Sequence, residues 1–223
     1  MLIDHAGLAL FPHLGFFRCI GRLSFPIYCF LLTQGFVHTR SIQGYGRRLL
    51  LTAILSEIPF DLLIFGCISS GMEQNVLFSL LFGLMALTAA KAYKEKPMTV
   101  WLIIITLSMG AMAARVSFGW LGIALCISAY YAGNCKHLLF LFFSFSLLVY
   151  SLSLQLSGVT QSWVLVSFCS LFSLIPLLLY NGKRGLRAPM LSLLFYAAYP
   201  LHMLALIILR ALRIIPPNLW GMY

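Results

Sequence analysis

Long apolar stretches alternate with short polar connections along this chain. About nine such segments can be delimited, at roughly 1–12, 16–37, 48–66, 75–91, 98–114, 118–133, 138–156, 162–180 and 189–209. A helix rises about 1.5 Å per residue, and the hydrocarbon core of a bilayer is about 30 Å thick. Most segments can therefore cross as helices, whereas the fifth and sixth are marginal. The first is too short to cross, so it is either a half-span or the part of a longer helix that follows Met1. Eight or ten spans stay possible.

The composition narrows the class of protein. Hydrophobic residues make up 61% of the chain and charged residues 9%, with a mean hydropathy of +0.97. Soluble domains carry about 25% charged residues. Helices also satisfy their own backbone hydrogen bonds in lipid. We predict an all-α fold, a polytopic transmembrane helical bundle, that forms one membrane domain over 1–223.

Positive charge is concentrated in alternate connections, and the intervening connections carry only Arg115. Because Lys and Arg favour the cytoplasmic side, we predict a cytoplasmic N-terminus and a C-terminus outside. This topology accounts for the net charge of +10 without nucleic-acid binding. Arg210 and Arg213 lie near the outer end, where they could snorkel or bind lipid headgroups. The basic connections contain Arg40, Arg47, Arg48, Lys91, Lys94, Lys96, Lys136, Lys183, Arg184 and Arg187.

Three of the five acidic residues lie inside apolar segments: Asp4, Glu57 and Asp61. An embedded carboxylate costs several kcal/mol, so it is usually paired or close to water. Glu57 and Asp61 share a helix face at i,i+4 spacing. Helical rise places these acids, His5 and Arg22 near the middle of the bilayer, with His202 at a similar depth. Arg22 could pair with an acid to join two helices, or the group could form a polar site for chemistry.

Other polar residues have two interpretations each. His38 at a segment end is either interfacial or a substrate contact, and Tyr199 with His202 is either an aromatic helix face or part of a site. Trp163 is expected to be an interfacial anchor. The six cysteines are scattered without a CxxC pair, so we expect core residues or free thiols. A metal site from Asp4, His5 and the two other acids has no supporting spacing, so no metal is predicted.

Ordered motifs resemble the TraX family, whose plasmid-encoded members are known as F-pilin acetylases. The first are LIDH at 2–5, RCIGRLSFPIYCFLLTQGFVHTRS at 18–41 and YGRRLLLTAILSEIPFDLL at 45–63. NVLFSLLFGL at 75–84, FGWLGI at 118–123, LYNGKRG at 179–185 and FYAAYPLHM at 195–203 follow. The matches span nearly the whole chain. Relatives usually have about ten more residues before the DH pair, and Ser117–Phe118–Gly119 departs from their Asp–Tyr–Gly or Ser–Tyr–Gly run.

The resemblance implies a multi-pass protein of the inner (cytoplasmic) membrane that transfers an acetyl group from acetyl-CoA to an amino terminus. Asp4 and His5 match the family's DH pair, and Arg22 matches its GR-x-x-FP motif. The SE-x-PFD element supplies Glu57 and Asp61. The HT element and the terminal FY…H element supply His38 and His202. The acceptor would be a pilin-like peptide or another cell-envelope molecule.

These residues suggest a mechanism of acyl transfer to an amine or hydroxyl. His5 would be the general base, Asp4 or Glu57 would orient its ring, and Arg22 would balance the acids or stabilise the oxyanion. Asp61 completes the candidate catalytic set, while His38, Tyr199 and His202 are candidate substrate contacts. Four basic residues could bind the phosphates of coenzyme A, although membrane topology also explains their positive charge. They are Arg47, Arg48, Lys183 and Arg184. Two rival interpretations remain, a proton-coupled transporter or exporter and a non-catalytic assembly partner.

Overall fold

A computed structural model describes residues 1–11, 14–182 and 189–212, with side chains in the last segment described from 194 onward. It has one helix for each predicted apolar segment, so the all-α expectation is confirmed. In the described residues the only extended pairing is a bridge between Gln74 and Val116. The helices are α1 Leu2–Leu10, α2 Gly15–His38, α3 Ile42–Ile64, α4 Val76–Ala92, α5 Pro97–Ala113, α6 Trp120–Ala132, α7 Lys136–Leu156, α8 Gln161–Phe168, α9 Leu174–Leu179 and α10 Pro189–Ala211.

A 3₁₀ turn at Cys169–Ser173 joins α8 to α9, so these two helices form a single span. In the described part of the chain, four helical segments are long and apolar enough to cross a membrane: Gly15–His38, Lys136–Leu156, Gln161–Leu179 and Leu194–Ala211. The apolar helices α4, α5 and α6 are shorter. Large apolar side chains such as Phe145 lie on the outside of the bundle, 70% exposed in this case. A bilayer would cover such a surface.

The core lies between α2, α4 and α6. Phe25, Cys29 and Phe36 of α2 are buried there against small residues of the other two helices. A Cβ atom at Gly83 would lie 2.6 Å from the Cys126 Sγ atom, so only glycine lets α4 and α6 approach this closely. Close backbone approach at small residues is typical of helix packing in membranes.

Local sequence explains where several helices begin. Ser41 caps α3, because its hydroxyl oxygen accepts a hydrogen bond of 3.1 Å from the Gly44 N–H. Asn75 caps α4 through its Oδ1 atom, which accepts a bond of 3.0 Å from the Leu77 N–H. Pro97 occupies the first turn of α5, where its missing N–H costs nothing.

The connections gather at two ends of the bundle. One end carries the end of α1, the start of α2, the α3–α4 loop, the α5–α6 loop and the α7–α8 loop, and the Gln74–Val116 bridge joins two of these. We call it the Glu73 end. The opposite end carries the α2–α3, α4–α5 and α6–α7 connections and residues 180–182 after α9, and we call it the His38 end. Every described residue of the predicted basic connections lies at the His38 end.

One cysteine expectation is wrong. Cys19 of α2 and Cys169 of the 3₁₀ turn are disulfide-bonded, with Cα atoms 5.2 Å apart, although 150 residues separate them in the chain. This separation lies within the usual range for a disulfide. The pairing arises because α2 packs against the 3₁₀ turn, a contact that the spacing of cysteines along the chain does not reveal. Cys29, Cys67, Cys126 and Cys135 are free, as expected.

Arg210 makes a hydrogen bond within the protein and does not project only into lipid headgroups. Its Nη1 atom donates a hydrogen bond of 3.4 Å to the Leu63 carbonyl oxygen in the last turn of α3. The last carbonyls of a helix lack partners within the helix and carry partial negative charge, so a guanidinium is favourable there. Arg210 thereby links the C-terminal ends of α3 and α10.

Candidate functional site

A cavity of about 420 Å³ lies at the Glu73 end of the bundle, and we call it the His5 cavity. Helices α1, α2, α3, α4, α7, α8 and α10 contribute to its wall, together with three loops. The sequence placed these groups near mid-depth, whereas the cavity reaches the loops at Glu73, Ser117 and Val159. Its chemically interesting lining residues are Asp4, His5, Arg18, Arg22, Glu73, Ser117, Tyr150, Trp163 and Tyr199.

His5 and His202 form a direct pair between α1 and α10. The His5 Nδ1 atom lies 2.8 Å from the His202 Nε2 atom, and the two rings stack with centroids 5.0 Å apart. His202 Nδ1 lies 2.8 Å from the Ala198 carbonyl oxygen, which can only accept a hydrogen bond. Two neutral imidazoles therefore have one consistent arrangement: His202 donates from Nδ1 and accepts from His5 at Nε2. His5 Nε2 then keeps its lone pair.

The His5 ring is buried, with 4% exposure, and it lines the cavity. Tyr199 packs beside both imidazoles, with ring centroids 6.3 Å from His5 and 5.6 Å from His202. The Tyr199 hydroxyl is buried. The structure thus brings three residues that the sequence singled out, from two distant parts of the chain, into one cluster. It gives His202 the orienting contact with His5 that the sequence assigned to Asp4 or Glu57.

Asp4 pairs with Arg18, not with Arg22. The Arg18 Nη1 atom lies 3.1 Å from the Asp4 Oδ1 atom, and each side chain is 17% exposed. Gly21 makes this approach possible, because a Cβ atom there would overlap the Asp4 side chain. The sequence had proposed Arg22 as the partner of an embedded acid. Arg18 and Arg22 share a face of α2. The position of α1 along α2 places Asp4 beside Arg18, one turn before Arg22.

Arg22 lies among aromatic rings instead. Its Cζ atom is 5.1 Å from the Phe118 ring centroid and 5.6 Å from that of Trp163. Its buried Nε atom has no hydrogen-bond partner among the described residues. Phe118 adopts a positive φ of 62° and stacks on Phe25 at 4.0 Å between centroids, which supports the ring beneath the guanidinium. A cation held over rings keeps its N–H groups available for an anion.

Asp61 and Glu57 bind the α3–α4 loop and do not line the His5 cavity. Asp61, 3% exposed, accepts bonds of 2.9 Å and 2.8 Å from the Ser70 N–H and hydroxyl. Glu57 Oε2 accepts from the side-chain amide of Asn75 and, at 3.3 Å, from its backbone N–H. These contacts satisfy both oxygens of Asp61 and one oxygen of Glu57, whose Oε1 atom is buried without a partner among the described residues. They fold a loop back onto α3, which spacing along the chain cannot reveal.

Other cavity residues were not singled out or were interpreted differently. Glu73 lies in the α3–α4 loop and accepts a bond of 2.6 Å from the Ser117 hydroxyl. The centroid of the Trp163 ring lies 4.7 Å from the Arg18 Cζ atom, so Trp163 is part of the site and not only an interfacial anchor. The departure at Ser117–Phe118–Gly119 from the pattern of relatives weakens an assignment of chemistry to that run, yet Ser117 and Phe118 line the cavity.

A second cavity of about 320 Å³ lies at the opposite end, and we call it the His38 cavity. His38 and Arg48 line it, whereas Arg47 is exposed and outside the lining. Lys183 and Arg184 lie outside the described residues. The remaining lining consists of Gln34, Gly35, Thr39, Tyr45, Tyr180, Gly182 and Tyr196. In the part of the chain that the structure describes, no group of three His, Cys, Asp or Glu residues could hold a metal ion.

The helical bundle, the four long apolar spans of its described residues and its polar cavity define a polytopic membrane protein with a buried polar site. The model of the family described as TraX protein matches residues 1–210, so the chain belongs to the TraX family. It is also similar to the "Probable fimbrial assembly protein FimC, serogroup H1" of Dichelobacter nodosus. The two are 31% identical over 217 residues, covering 91% of this chain and 87% of that protein. No solved structure matches.

Proposed function

We propose that this protein is a membrane-embedded acyltransferase that moves an acetyl group from acetyl-CoA to an amine or hydroxyl acceptor. The pairing of His5 with His202 carries the proposal. It leaves His5 Nε2 as a hydrogen-bond acceptor on a buried ring in a polar cavity, as a general base requires. Membership of the TraX family supports acetyl-CoA as the donor.

In the proposed reaction, His5 Nε2 takes a proton from the acceptor while the acceptor's nitrogen or oxygen attacks the thioester carbonyl carbon. The carbon–sulfur bond then breaks, and the proton held on His5 passes to the departing sulfur. The products are the acetylated acceptor and free coenzyme A. His202 stabilises the charged imidazole by accepting from Nδ1, as a triad carboxylate does.

Arg22 is suited to stabilise the negative charge that develops on the carbonyl oxygen. Its guanidinium is held over Phe118 and Trp163, and its Nε–H has no partner among the described residues. Such a donor needs no rearrangement when the oxyanion forms. Asp4 and Arg18 hold α1 against α2 and so position His5. Asp61 and Glu57 support the loop that carries Glu73.

Two observations support an orientation in an inner membrane with the His5 cavity facing outward. Basic connections gather at the His38 end, and positive charge favours the cytoplasmic side. The Cys19–Cys169 disulfide adjoins the Arg18 turn at the Glu73 end, and disulfides persist in oxidising compartments. The acceptor would then arrive from outside, as a pilin-like peptide or another cell-envelope molecule would.

The test is acetyl-CoA consumption by the purified protein in lipid, with released thiol as the readout. His5→Ala should abolish thiol release, because water or any other acceptor needs the same base. His137→Ala is the matched control, since His137 is exposed at the start of α7, at the opposite end of the bundle from the His5 cavity. Equal thiol release by wild type and a folded His5→Ala protein would exclude the proposal.

A non-catalytic role in fimbrial assembly is a second candidate, favoured by the name of the relative from Dichelobacter nodosus. In that case the polar cavity would bind a subunit without changing it covalently. Mass spectrometry of the cell-envelope proteins distinguishes the two candidates. Acetyl transfer is supported if a surface protein carries an added mass of about 42 Da in wild-type cells and lacks it in His5→Ala cells. Normal assembly of fimbriae in His5→Ala cells would argue against an assembly role for the cavity.

A further inference from the structure

The His38 cavity is a second polar site, at the opposite end of the bundle from His5. Arg22 and Gln34 are twelve residues apart on α2, or about 18 Å at helical rise. Between them the buried residues Cys29, Phe30 and Thr33 pack into the core. A group bound at the His38 cavity therefore cannot touch His5 unless the ligand is long.

We propose that the His38 cavity binds a phosphate group, and that coenzyme A supplies it. The identity of the ligand rests on the proposed acetyl transfer, whereas the phosphate chemistry stands on the cavity alone. An anionic phospholipid headgroup would offer the same chemistry. Coenzyme A is the source that the proposed reaction already requires, and an extended arm separates its phosphates from its thiol.

The lining of the cavity favours an anion. It contains the guanidinium of Arg48 and the hydroxyls of Tyr45, Tyr180 and Tyr196, and no carboxylate among the described residues. Guanidinium groups bind phosphate through paired N–H bonds, and each tyrosine adds a neutral donor. Lys and Arg side chains of the surrounding connections raise the local positive potential.

Tyr45 and Arg48 are placed to act together. They lie one turn apart at the start of α3, and both line the cavity together with Tyr196. Gly35 lets the ring lie against α2, because a Cβ atom there would come within 3.0 Å of the Tyr45 hydroxyl oxygen. The cavity is thus formed by close packing of α2 and α3 and is not an accidental gap between loops.

His38 is held at the rim by its own helix. Its Nδ1 atom lies 2.8 Å from the Gln34 carbonyl oxygen and donates to it. A protonated imidazole donates from both nitrogens, so His38 can keep this contact while Nε2–H binds a phosphate oxygen. His38, Arg48 and Tyr45 would then surround the anion from α2 and α3.

Equilibrium binding of coenzyme A to the full-length protein in phosphatidylcholine nanodiscs tests the proposal. Arg48→Gln should raise the Kd at least about tenfold, the usual effect of losing a charge-assisted bond. Tyr45→Phe should raise it about threefold while keeping the ring that packs on Gly35. Lys136→Gln removes one positive charge from the same end outside the cavity and should leave the Kd within about twofold.

A second series of nanodiscs contains phosphatidylglycerol, with native mass spectrometry counting retained lipid. Loss of bound phosphatidylglycerol in Arg48→Gln, with no binding of coenzyme A by wild type, would keep the phosphate site and assign it to a headgroup. Unchanged binding of both ligands in folded Arg48→Gln and Tyr45→Phe proteins would overturn the proposal. His5→Ala separates the two ideas: it should bind coenzyme A normally yet release no thiol, so failure of transfer leaves the binding result intact.

Discussion

His5 Nδ1 and His202 Nε2 lie 2.8 Å apart, although 197 residues separate them in the chain. The contact joins the first and last helices of the described chain, so the cavity is complete only when α1 and α10 have docked together. Because His202 Nδ1 donates to the Ala198 carbonyl oxygen, His202 Nε2 accepts the proton of His5 Nδ1–H in the neutral pair. His202 is therefore a positioning residue, acting through His5.

Replacing His202 should slow acetyl transfer without weakening substrate binding. His202→Leu removes the acceptor for the His5 Nδ1–H, and we expect kcat to fall about 100-fold, the lower range for acid–base help, with KM unchanged. His202→Gln keeps an oxygen acceptor in reach and should recover much of this loss. A pH profile of kcat that is the same for wild type and both variants would contradict the positioning role.

Replacing Arg18 should destabilise the bundle more than its partial exposure suggests. Arg18→Gln leaves the Asp4 carboxylate without its ion-pair partner, and we expect a loss of about 1–3 kcal/mol in the free energy of unfolding. The measurement is denaturant unfolding in detergent micelles. Arg18→Gln should cost much less stability in an Asp4→Asn background, because the effects of substituting two residues in contact are not additive. Equal losses in both backgrounds would show that the pair contributes nothing.

Two glycines of α2 should respond with opposite sign to the same change. Gly21→Ala places a methyl group against the Asp4 side chain and should cost about 1–3 kcal/mol, together with acetyl transfer, because α1 must move. Gly15→Ala meets nothing within 4 Å and should be neutral or stabilising by up to about 1 kcal/mol. Thermal unfolding of the two variants in lipid compares them directly. A stable and active Gly21→Ala protein would show that α1 can bind α2 in another register.

Helix positions could be predicted from this sequence because long apolar stretches form most of each helix. The nine apolar segments correspond to helices whose ends differ from the prediction by up to several residues. The difference is small for 16–37 against Gly15–His38 and larger for 48–66 against Ile42–Ile64, where the Ser41 cap starts the helix earlier. The structure also places several of the predicted site residues around one cavity. Asp4, His5, Arg22 and Tyr199 all line the His5 cavity.

The pairings within the site could not be predicted, because each depends on how two helices pack. Arg18 and Arg22 are one turn apart on the same face, and only the docked position of α1 selects Arg18 for Asp4. Asp61 looked like a catalytic acid because it is embedded, but its partner is Ser70, nine residues later in a loop. Apolar periodicity carries no information about where such loops fold back.

Removing the Asn75 side chain should loosen the α3–α4 loop. Asn75 is fully buried and donates from Nδ2 to the Ala53 carbonyl oxygen at 2.8 Å and to Glu57, while its Oδ1 caps α4. Asn75→Ala leaves these groups unsatisfied, and we expect a loss of about 2 kcal/mol or more. Asn134→Ala, at an exposed turn, should change stability by less than about 0.5 kcal/mol. Hydrogen exchange at 66–75 checks the location, and unchanged protection there would refute the anchoring role.

Breaking the Cys19–Cys169 bond should destabilise the wall of the His5 cavity. Each cysteine adjoins a segment that carries a cavity residue. The bond closes a loop of 150 residues, and a disulfide usually stabilises the folded state by about 2–4 kcal/mol. Cys19→Ser with Cys169→Ser should therefore lower the Tm, while Cys67→Ser, an exposed free thiol, should leave it unchanged. Alkylation of denatured protein purified without reductant should label the four free cysteines, and prior reduction should expose two more. Six labelled thiols before reduction would show that the bond does not form in the membrane, and would remove one of the two supports for an outward-facing cavity.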